Sequence, residues 1–77
     1  MKEGRYRHYK GGEYQVLGIA CHSETNEKMV VYRALNDKPD LEKEFGIRPL
    51  FVRPYSMFVE TVMWEGKEVP RFEYLGE

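Results

Sequence analysis

A chain of 77 residues with one cysteine and a formal net charge of -1 has room for one hydrophobic core and no intrachain disulfide. The near balance of 12 Lys and Arg against 13 Asp and Glu argues against a strongly basic nucleic-acid binder, and 42% hydrophobic residues argue against disorder. No apolar run suggests a secretory signal or a membrane span. We therefore expect one soluble, cytoplasmic domain over residues 1–77, with no membrane partner.

The first part of the chain predicts two strands joined by a glycine turn. Arg5–Tyr9 is rich in aromatic residues and forms either a first strand or an extended arm. Gly11 and Gly12 predict the turn, because glycine tolerates positive φ. Glu13–His22 is the clearest strand, with largely apolar side chains on both faces and Gly18 as a position for a bulge.

Polar turns and short β-type runs alternate through the rest of the chain. Lys28–Leu35 predicts a strand that forms a long hairpin with the one before it. Asn36–Gly46 predicts one or two helical turns, capped by Asn36 or Asp37, with Pro39 near the start. The remaining predicted elements are a short strand, a single 3₁₀ turn and two strands, at Pro49–Pro54, Tyr55–Phe58, Val59–Trp64 and Val69–Leu75.

This pattern predicts a mostly β fold, a small barrel or roll of five to six strands with one short helical turn. A closed sheet would remove the exposed strand edges that are a liability in so small a chain. We expect the core to be drawn from Tyr14, Val16, Leu17, Ile19, Val30, Tyr32, Leu50, Val52, Phe58, Val62, Val69 and Phe72.

Several segments taken together carry a family resemblance. They are Tyr6–Gly11, Ala20–Thr25, Val30–Leu35, Phe51–Pro54, Met57–Phe58 and Val69–Phe72. In order and spacing this set resembles the bacterial family known as domain of unknown function 1653, over nearly the whole chain. The resemblance implies an SH3-like β-roll in a cytoplasmic bacterial protein, and it implies no activity. One departure is the stretch from Lys38 to Ile47, which looks longer than the turn that the family often has there.

Motifs for catalysis or cofactor binding are missing from the sequence. It has no phosphate-binding glycine loop and no zinc-ligand spacing. His8 and His22 could hold a metal with Glu24, but structural hydrogen bonds are the favoured interpretation. Cys21 shares a strand face with apolar residues and is expected in the core. We expect no cofactor, no metal and no catalytic residue.

Arg53 is the residue that most suggests binding. Pro54 restricts it to extended geometry, and it shares a strand face with Phe51. An aromatic ring beside a guanidinium suits a bidentate grip on a carboxylate or phosphate. The competing interpretation, which we weight about twofold higher because most protein ion pairs are structural, is an intramolecular pair with Glu24, Glu60 or Glu73.

Three functions remain open. The leading hypothesis is a non-enzymatic module that binds a peptide, carboxylate or phosphate group. Its predicted site is one patch formed by Arg7, His8, His22, Tyr32, Arg53 and Tyr55. The first alternative is an RNA- or DNA-binding module using the same patch. The second is a small enzyme with His8 or His22 as acid or base. Trp64 either anchors an interface or covers one end of the barrel.

Overall fold

The structure, a computed structural model, describes all residues from 1 to 77. Its strands and helices are, in chain order, β1 Gly4–His8, β2 Glu13–Cys21, β3 Lys28–Ala34, α1 Pro39–Phe45, β4 Leu50–Pro54, α2 Tyr55–Phe58, β5 Thr61–Trp64, β6 Lys67–Pro70 and β7 Phe72–Gly76. Five strands form an antiparallel sheet in the order β4-β3-β2-β1-β7, and β5 and β6 form a separate hairpin. The prediction of a mostly β chain is confirmed.

The five-stranded sheet is open, so the predicted closed barrel is not found. Its edges are β4 and β7, which do not pair with each other. The chain reaches β7 through the β5–β6 hairpin, whose strands pair only with one another. The segment Val69–Leu75, predicted as one strand, divides at Arg71, whose amide donates to the carbonyl of Glu60 at 3.0 Å. This division gives seven strands instead of five or six.

Strand β2 carries a bulge at the glycine where the sequence predicts one. Its pairing with β3 shifts register between Val16 and Gly18, so that Val16 lies opposite Tyr32 and Ile19 lies opposite Val30. One extra residue in β2 therefore places Val16 and Ile19 on the same face of the sheet. We call this face, which holds the core, the inner face.

The far end of β2 is exposed because β1 is too short to cover it. β1 begins at Gly4, opposite Val16, so the rest of β2 has only β3 beside it. Ile19 remains 43% exposed and Cys21 is exposed. The predicted core positions of these two residues are therefore wrong.

Aromatic packing dominates the core on the inner face. The buried cluster consists of Tyr6, Val16, Val30, Tyr32, Phe58 and Phe72. Helix α2 packs on β3 and β4 and brings Phe58 over the sheet, where its ring stacks on Phe72 with centroids 4.0 Å apart. Five of the predicted core residues are confirmed as buried, namely Val16, Val30, Tyr32, Phe58 and Phe72.

Apolar side chains on the opposite, outer face remain exposed. Val31 lies opposite Val52, and Arg33 lies opposite Leu50. Leu17, Leu50 and Val52 are 44%, 50% and 62% exposed, so their predicted places in the core are wrong. The error arises because these strands carry apolar residues on both faces, and hydrophobicity alone does not say which face is covered.

Two α-helices are present: α1 lies in the segment predicted to form one or two helical turns, and α2 lies where the sequence predicts a single 3₁₀ turn. Helix α1 begins at Pro39 and ends before Gly46, as predicted from the proline and the glycine. Its N-cap is Lys38 and makes no side-chain capping bond, so the predicted cap at Asn36 or Asp37 is wrong. The Asn36 Oδ1 atom instead accepts a hydrogen bond from the Glu13 amide at 2.7 Å. Neither helix is long and apolar enough to cross a membrane.

Candidate functional site

A pocket of about 340 Å³ opens on the inner face, between the β1–β2 turn, β4 and the residue before α1. We call it the cationic pocket. It is lined by His8, Lys10, Gly12, Tyr14, Tyr32, Lys38, Phe51, Arg53 and Phe72. Three of these nine residues are Lys or Arg, and none is Asp or Glu. The fold therefore concentrates positive charge at one place in a chain whose net charge is -1.

Rings from neighbouring strands form the walls of the cationic pocket. The register places His8 of β1 opposite Phe72 of β7, and Tyr32 of β3 opposite Phe51 of β4. The Tyr32 and Phe51 rings are stacked with centroids 5.6 Å apart, and His8 meets Phe72 edge to face at 5.0 Å. Because Tyr32 and Phe72 also belong to the buried cluster, the pocket continues the core outward to the surface.

Arg53 is held in the pocket by two contacts. Its Nε donates a hydrogen bond to the Tyr32 hydroxyl at 3.2 Å, and its Cζ lies 5.4 Å from the centre of the Phe72 ring. The side chain is half-buried, so part of its hydration has been replaced by these contacts. Its terminal nitrogens make no hydrogen bond or ion pair within the chain and can donate to a ligand.

The competing interpretation of Arg53, an intramolecular ion pair, does not hold in this structure. Glu60 pairs with Arg71, and Glu73 pairs with Arg7 at 3.0 Å. The third proposed partner, Glu24, lies in the β2–β3 turn, and no carboxylate oxygen comes within 4.0 Å of Arg53. Arg53 thus enters the pocket with its charge uncompensated by a direct partner.

Two lysines add charge from outside the sheet. Lys10 lies in the β1–β2 turn, and Lys38 immediately precedes α1. The Lys38 Nζ lies 5.6 Å from the centre of the Tyr14 ring. Neither ammonium group forms an ion pair within the chain. The three cations together would attract an anion more strongly than Arg53 alone.

The imidazole of His8 is oriented by the backbone of the turn. Its Nδ1 accepts a hydrogen bond from the Lys10 amide at 3.2 Å, so in the neutral ring the proton is on Nε2. Burial lowers the pKa of His8, and the nearby charges of Arg53, Arg71, Lys10 and Lys38 lower it further. At neutral pH His8 is therefore an uncharged hydrogen-bond donor inside a cationic pocket.

A second pocket, of about 280 Å³, shares His8 with the first. We call it the tryptophan pocket. It is lined by Arg7, His8, Tyr9, Gly11, Trp64, Val69, Pro70 and Glu73. Trp64 is 41% exposed, and its ring meets Tyr9 edge to face with centroids 5.2 Å apart. The β5–β6 hairpin thus presents its tryptophan beside the end of β1.

Three of the six residues predicted as one patch line the cationic pocket, namely His8, Tyr32 and Arg53. Arg7 alternates with His8 along β1, so it faces the other way and pairs with Glu73. Tyr55 packs against the core, with Lys28 Nζ 4.0 Å from the centre of its ring.

His22 is the third predicted residue outside the pocket. It follows the end of β2 that is distant from the β1–β2 turn, on the order of 25 Å along the strand from His8. There its Nδ1 accepts a hydrogen bond from the Glu24 amide at 3.2 Å. His8, His22 and Glu24 therefore do not form a metal site together, and no cluster of three metal-binding side chains occurs in the chain.

Sequence reasoning missed several residues of the cationic pocket. The sequence already places Phe51 beside Arg53 on one strand face, although the predicted six-residue patch omits it. Lys10 follows the predicted first strand closely and could have been placed near His8. No sequence signal places Lys38 in the pocket, because its position depends on how the β3–α1 connection folds back across the inner face.

Comparisons with known proteins agree with the fold. A family model described as "Protein of unknown function (DUF1653)" matches residues 4–74. A crystal structure of a DUF1653 protein from Bordetella bronchiseptica is 37% identical, with a TM-score of 0.84 over 99% of this chain and 88% of that chain. No protein among those with curated descriptions matches. The chain belongs to the DUF1653 family, and the resemblance drawn from its sequence is confirmed.

Proposed function

We propose that this protein is a non-enzymatic binding module that takes a small anionic group, a carboxylate or a phosphate, into the cationic pocket. The observation that carries the proposal is Arg53, a half-buried guanidinium with free terminal nitrogens and no carboxylate partner. An arginine in this state can give two parallel hydrogen bonds to one anionic group.

The surroundings of Arg53 support the same proposal. Lys10 and Lys38 are unpaired cations on the rim, and no acidic side chain lines the pocket to oppose an anion. The neutral imidazole of His8 can donate a hydrogen bond to the anion from its Nε2–H group. Because Arg53 is half-buried beside the aromatic walls, its interaction with an anion is screened less than it would be in bulk water.

Calorimetric titration with inorganic phosphate and with acetate tests this function. Sodium chloride replaces each salt in matched solutions, so that ionic strength stays constant. We expect phosphate to bind one site with a dissociation constant on the order of 1 mM or tighter. Arg53→Ala should weaken it at least about tenfold, because a charge-assisted hydrogen bond contributes about 1.5–3 kcal/mol.

Arg33→Ala is the matched control. Arg33 lies on the outer face of β3 and donates to the Arg48 carbonyl at 3.0 Å, so its loss removes one positive charge without touching the pocket. Phosphate binding should be nearly unchanged in this variant. If neither anion binds the native protein, or if Arg33→Ala weakens binding as much as Arg53→Ala, the proposed function is wrong.

We further propose that residues 1–77 act as one such domain in the cytoplasm, and that the open sheet is a variant of the SH3-like roll. The exposed, unpaired thiol of Cys21 supports a reducing compartment. Cysteine labelling in intact cells with a membrane-permeant and an impermeant maleimide tests the location. Labelling by the impermeant reagent would contradict it.

A further inference from the structure

The cationic pocket and the tryptophan pocket share one residue. His8 lines both, and each neighbour along the row Arg53, Phe72, His8, Tyr9 and Trp64 is close to the next. The Arg53 Cζ is 5.4 Å from the Phe72 ring, and successive ring centroids beyond it are 5.0, 4.5 and 5.2 Å apart. The row is thus continuous, with a free cation at one end and an exposed indole at the other.

The two ends of this row have different chemistry. The cationic pocket has three Lys or Arg residues, whereas the only Arg of the tryptophan pocket is already paired with Glu73 at 3.0 Å. The tryptophan pocket therefore has no unpaired Lys or Arg to offer a ligand. Besides the Arg7–Glu73 pair, its lining includes the rings of Trp64 and Tyr9 and the apolar side chains of Val69 and Pro70. A ligand that fills both pockets needs an anionic group joined by a short linker to a flat, uncharged ring.

We infer that the two pockets together bind a nucleoside phosphate unit, with the phosphate in the cationic pocket and the base against Trp64. The inference rests on the proposed function, because it uses the same anion site. A phosphate, a ribose and a base supply an anion, a short linker and a flat ring in that order. Cationic side chains beside exposed aromatic rings are also the elements with which proteins bind single-stranded nucleic acids.

The turn between β1 and β2 leaves room for a ligand that crosses from one pocket to the other. Gly11 lines the tryptophan pocket and Gly12 lines the cationic pocket. A Cβ at Gly12 would lie 3.1 Å from the Tyr14 hydroxyl, so any side chain there would crowd the cationic pocket. Gly11 and Gly12 therefore place no side chain where the turn passes from one pocket to the other.

Trp64 is the only tryptophan of the chain, so its fluorescence reports on the tryptophan pocket alone. Titrations with inorganic phosphate, ribose 5-phosphate, adenosine and AMP separate the two pockets. We expect AMP to quench Trp64 and to bind about tenfold tighter than ribose 5-phosphate, since stacking of the base on an aromatic ring adds to the phosphate contacts. Inorganic phosphate and ribose 5-phosphate should bind without quenching.

Two variants locate the effect by calorimetry. Trp64→Leu should remove the roughly tenfold advantage of AMP and leave ribose 5-phosphate binding unchanged. Arg53→Ala should weaken the binding of both AMP and ribose 5-phosphate. Circular dichroism checks that each variant is folded, and quenching in the native protein is independent of any variant. If AMP binds the native protein no tighter than ribose 5-phosphate does and does not quench Trp64, this inference is overturned. If the native protein binds neither inorganic phosphate nor ribose 5-phosphate, the proposed function is overturned as well.

The phosphate unit has two possible sources, a free nucleotide or a single strand. A four-nucleotide oligoadenylate compared with AMP distinguishes them. Tighter binding of the oligonucleotide, with a steeper dependence on salt, supports a single strand as the source. Equal or weaker binding supports a free nucleotide. In either case the base must quench Trp64. If AMP quenches Trp64 in the Arg53→Ala variant with the same affinity as in the native protein, the phosphate does not bind at Arg53 and the two pockets do not act as one site.

Discussion

The Nε of Arg53 donates a hydrogen bond to the hydroxyl of Tyr32 at 3.2 Å, and this bond joins the anion site to the core. Tyr32 is only 4% exposed and belongs to the buried aromatic cluster. A rigid, buried acceptor therefore fixes one end of the guanidinium and leaves the other end free.

Tyr32→Phe should weaken phosphate binding while keeping the fold. The variant removes the acceptor of Arg53 and retains the ring, so the guanidinium loses its orientation but not its charge. We expect up to about fivefold weaker binding, since one hydrogen bond contributes about 1 kcal/mol. Calorimetry with inorganic phosphate measures it. Binding as tight as in the native protein would show that the hydroxyl does not position Arg53.

Lys38→Gln should weaken phosphate binding about three- to fivefold, because a cation close to an anion at a protein surface contributes about 1 kcal/mol. Lys43→Gln provides a matched control, since Lys43 is in the last turn of α1, is exposed and does not line the pocket. Equal loss in the two variants would mean that only the total charge matters and that Lys38 has no specific place at the site.

Phosphate should raise the pKa of His8. In the free protein burial lowers this pKa, followed by repulsion from Arg53, Arg71, Lys10 and Lys38. An anion in the pocket offsets that repulsion, so the imidazole should titrate at higher pH when phosphate is bound. The Cε1–H resonance of His8, followed by NMR against pH with phosphate or with chloride, measures the change. A pKa unaffected by phosphate would place the anion elsewhere.

The same shift predicts a pH dependence of folding. Because the folded pKa of His8 is below its ordinary value of 6.5, the unfolded chain binds the proton more readily. The free energy of unfolding should fall as pH drops from about 6.5 toward the lower folded pKa, and His8→Gln should reduce this slope. Urea denaturation between pH 7 and pH 5.5 measures it, with His22→Gln as the control. An unchanged slope in His8→Gln would contradict the predicted role of His8.

Val52→Thr and Val30→Thr test the assignment of faces. Val30 is fully buried on the inner face, so a hydroxyl there should reduce the free energy of unfolding by about 1–3 kcal/mol. Val52 is 62% exposed on the outer face, and its replacement should change that free energy by less than about 0.5 kcal/mol. A comparable loss in both variants would mean that the outer face is covered in solution.

The sequence predicts local features of this fold better than its core. Proline and glycine correctly place the ends of α1, and Gly18 marks the bulge of β2, because the backbone preferences of these two residue types favour such positions. Ile19 fails as a core residue because its exposure depends on where β1 ends, which is a property of another strand. Burial on a two-sided apolar strand is decided by pairing between distant segments.

The candidate site divides in the same way. The spacing of Phe51 and Arg53 on β4 predicts that they lie together, and His8 and Tyr32 of the predicted patch line the same pocket. That these residues bind a ligand stays a prediction. The sequence does not predict that Lys38 lies in this pocket, because its position depends on the path of the connection between β3 and α1. On the sequence alone, nucleic-acid binding is the second hypothesis because the net charge is -1. The net charge does not show that the fold brings Lys10, Lys38 and Arg53 together on the inner face.

An NMR titration of the ¹⁵N-labelled protein with inorganic phosphate, at constant ionic strength, tests the central claim most directly. We predict chemical-shift changes at the amides of Lys10, Gly12 and Lys38 and at the Arg53 side-chain Nε–H, with one dissociation constant for all of them. His22 and Arg33, which lie outside the pocket, should not change. Small changes spread over all the lysines and arginines, with no saturation, would contradict a specific anion site at Arg53.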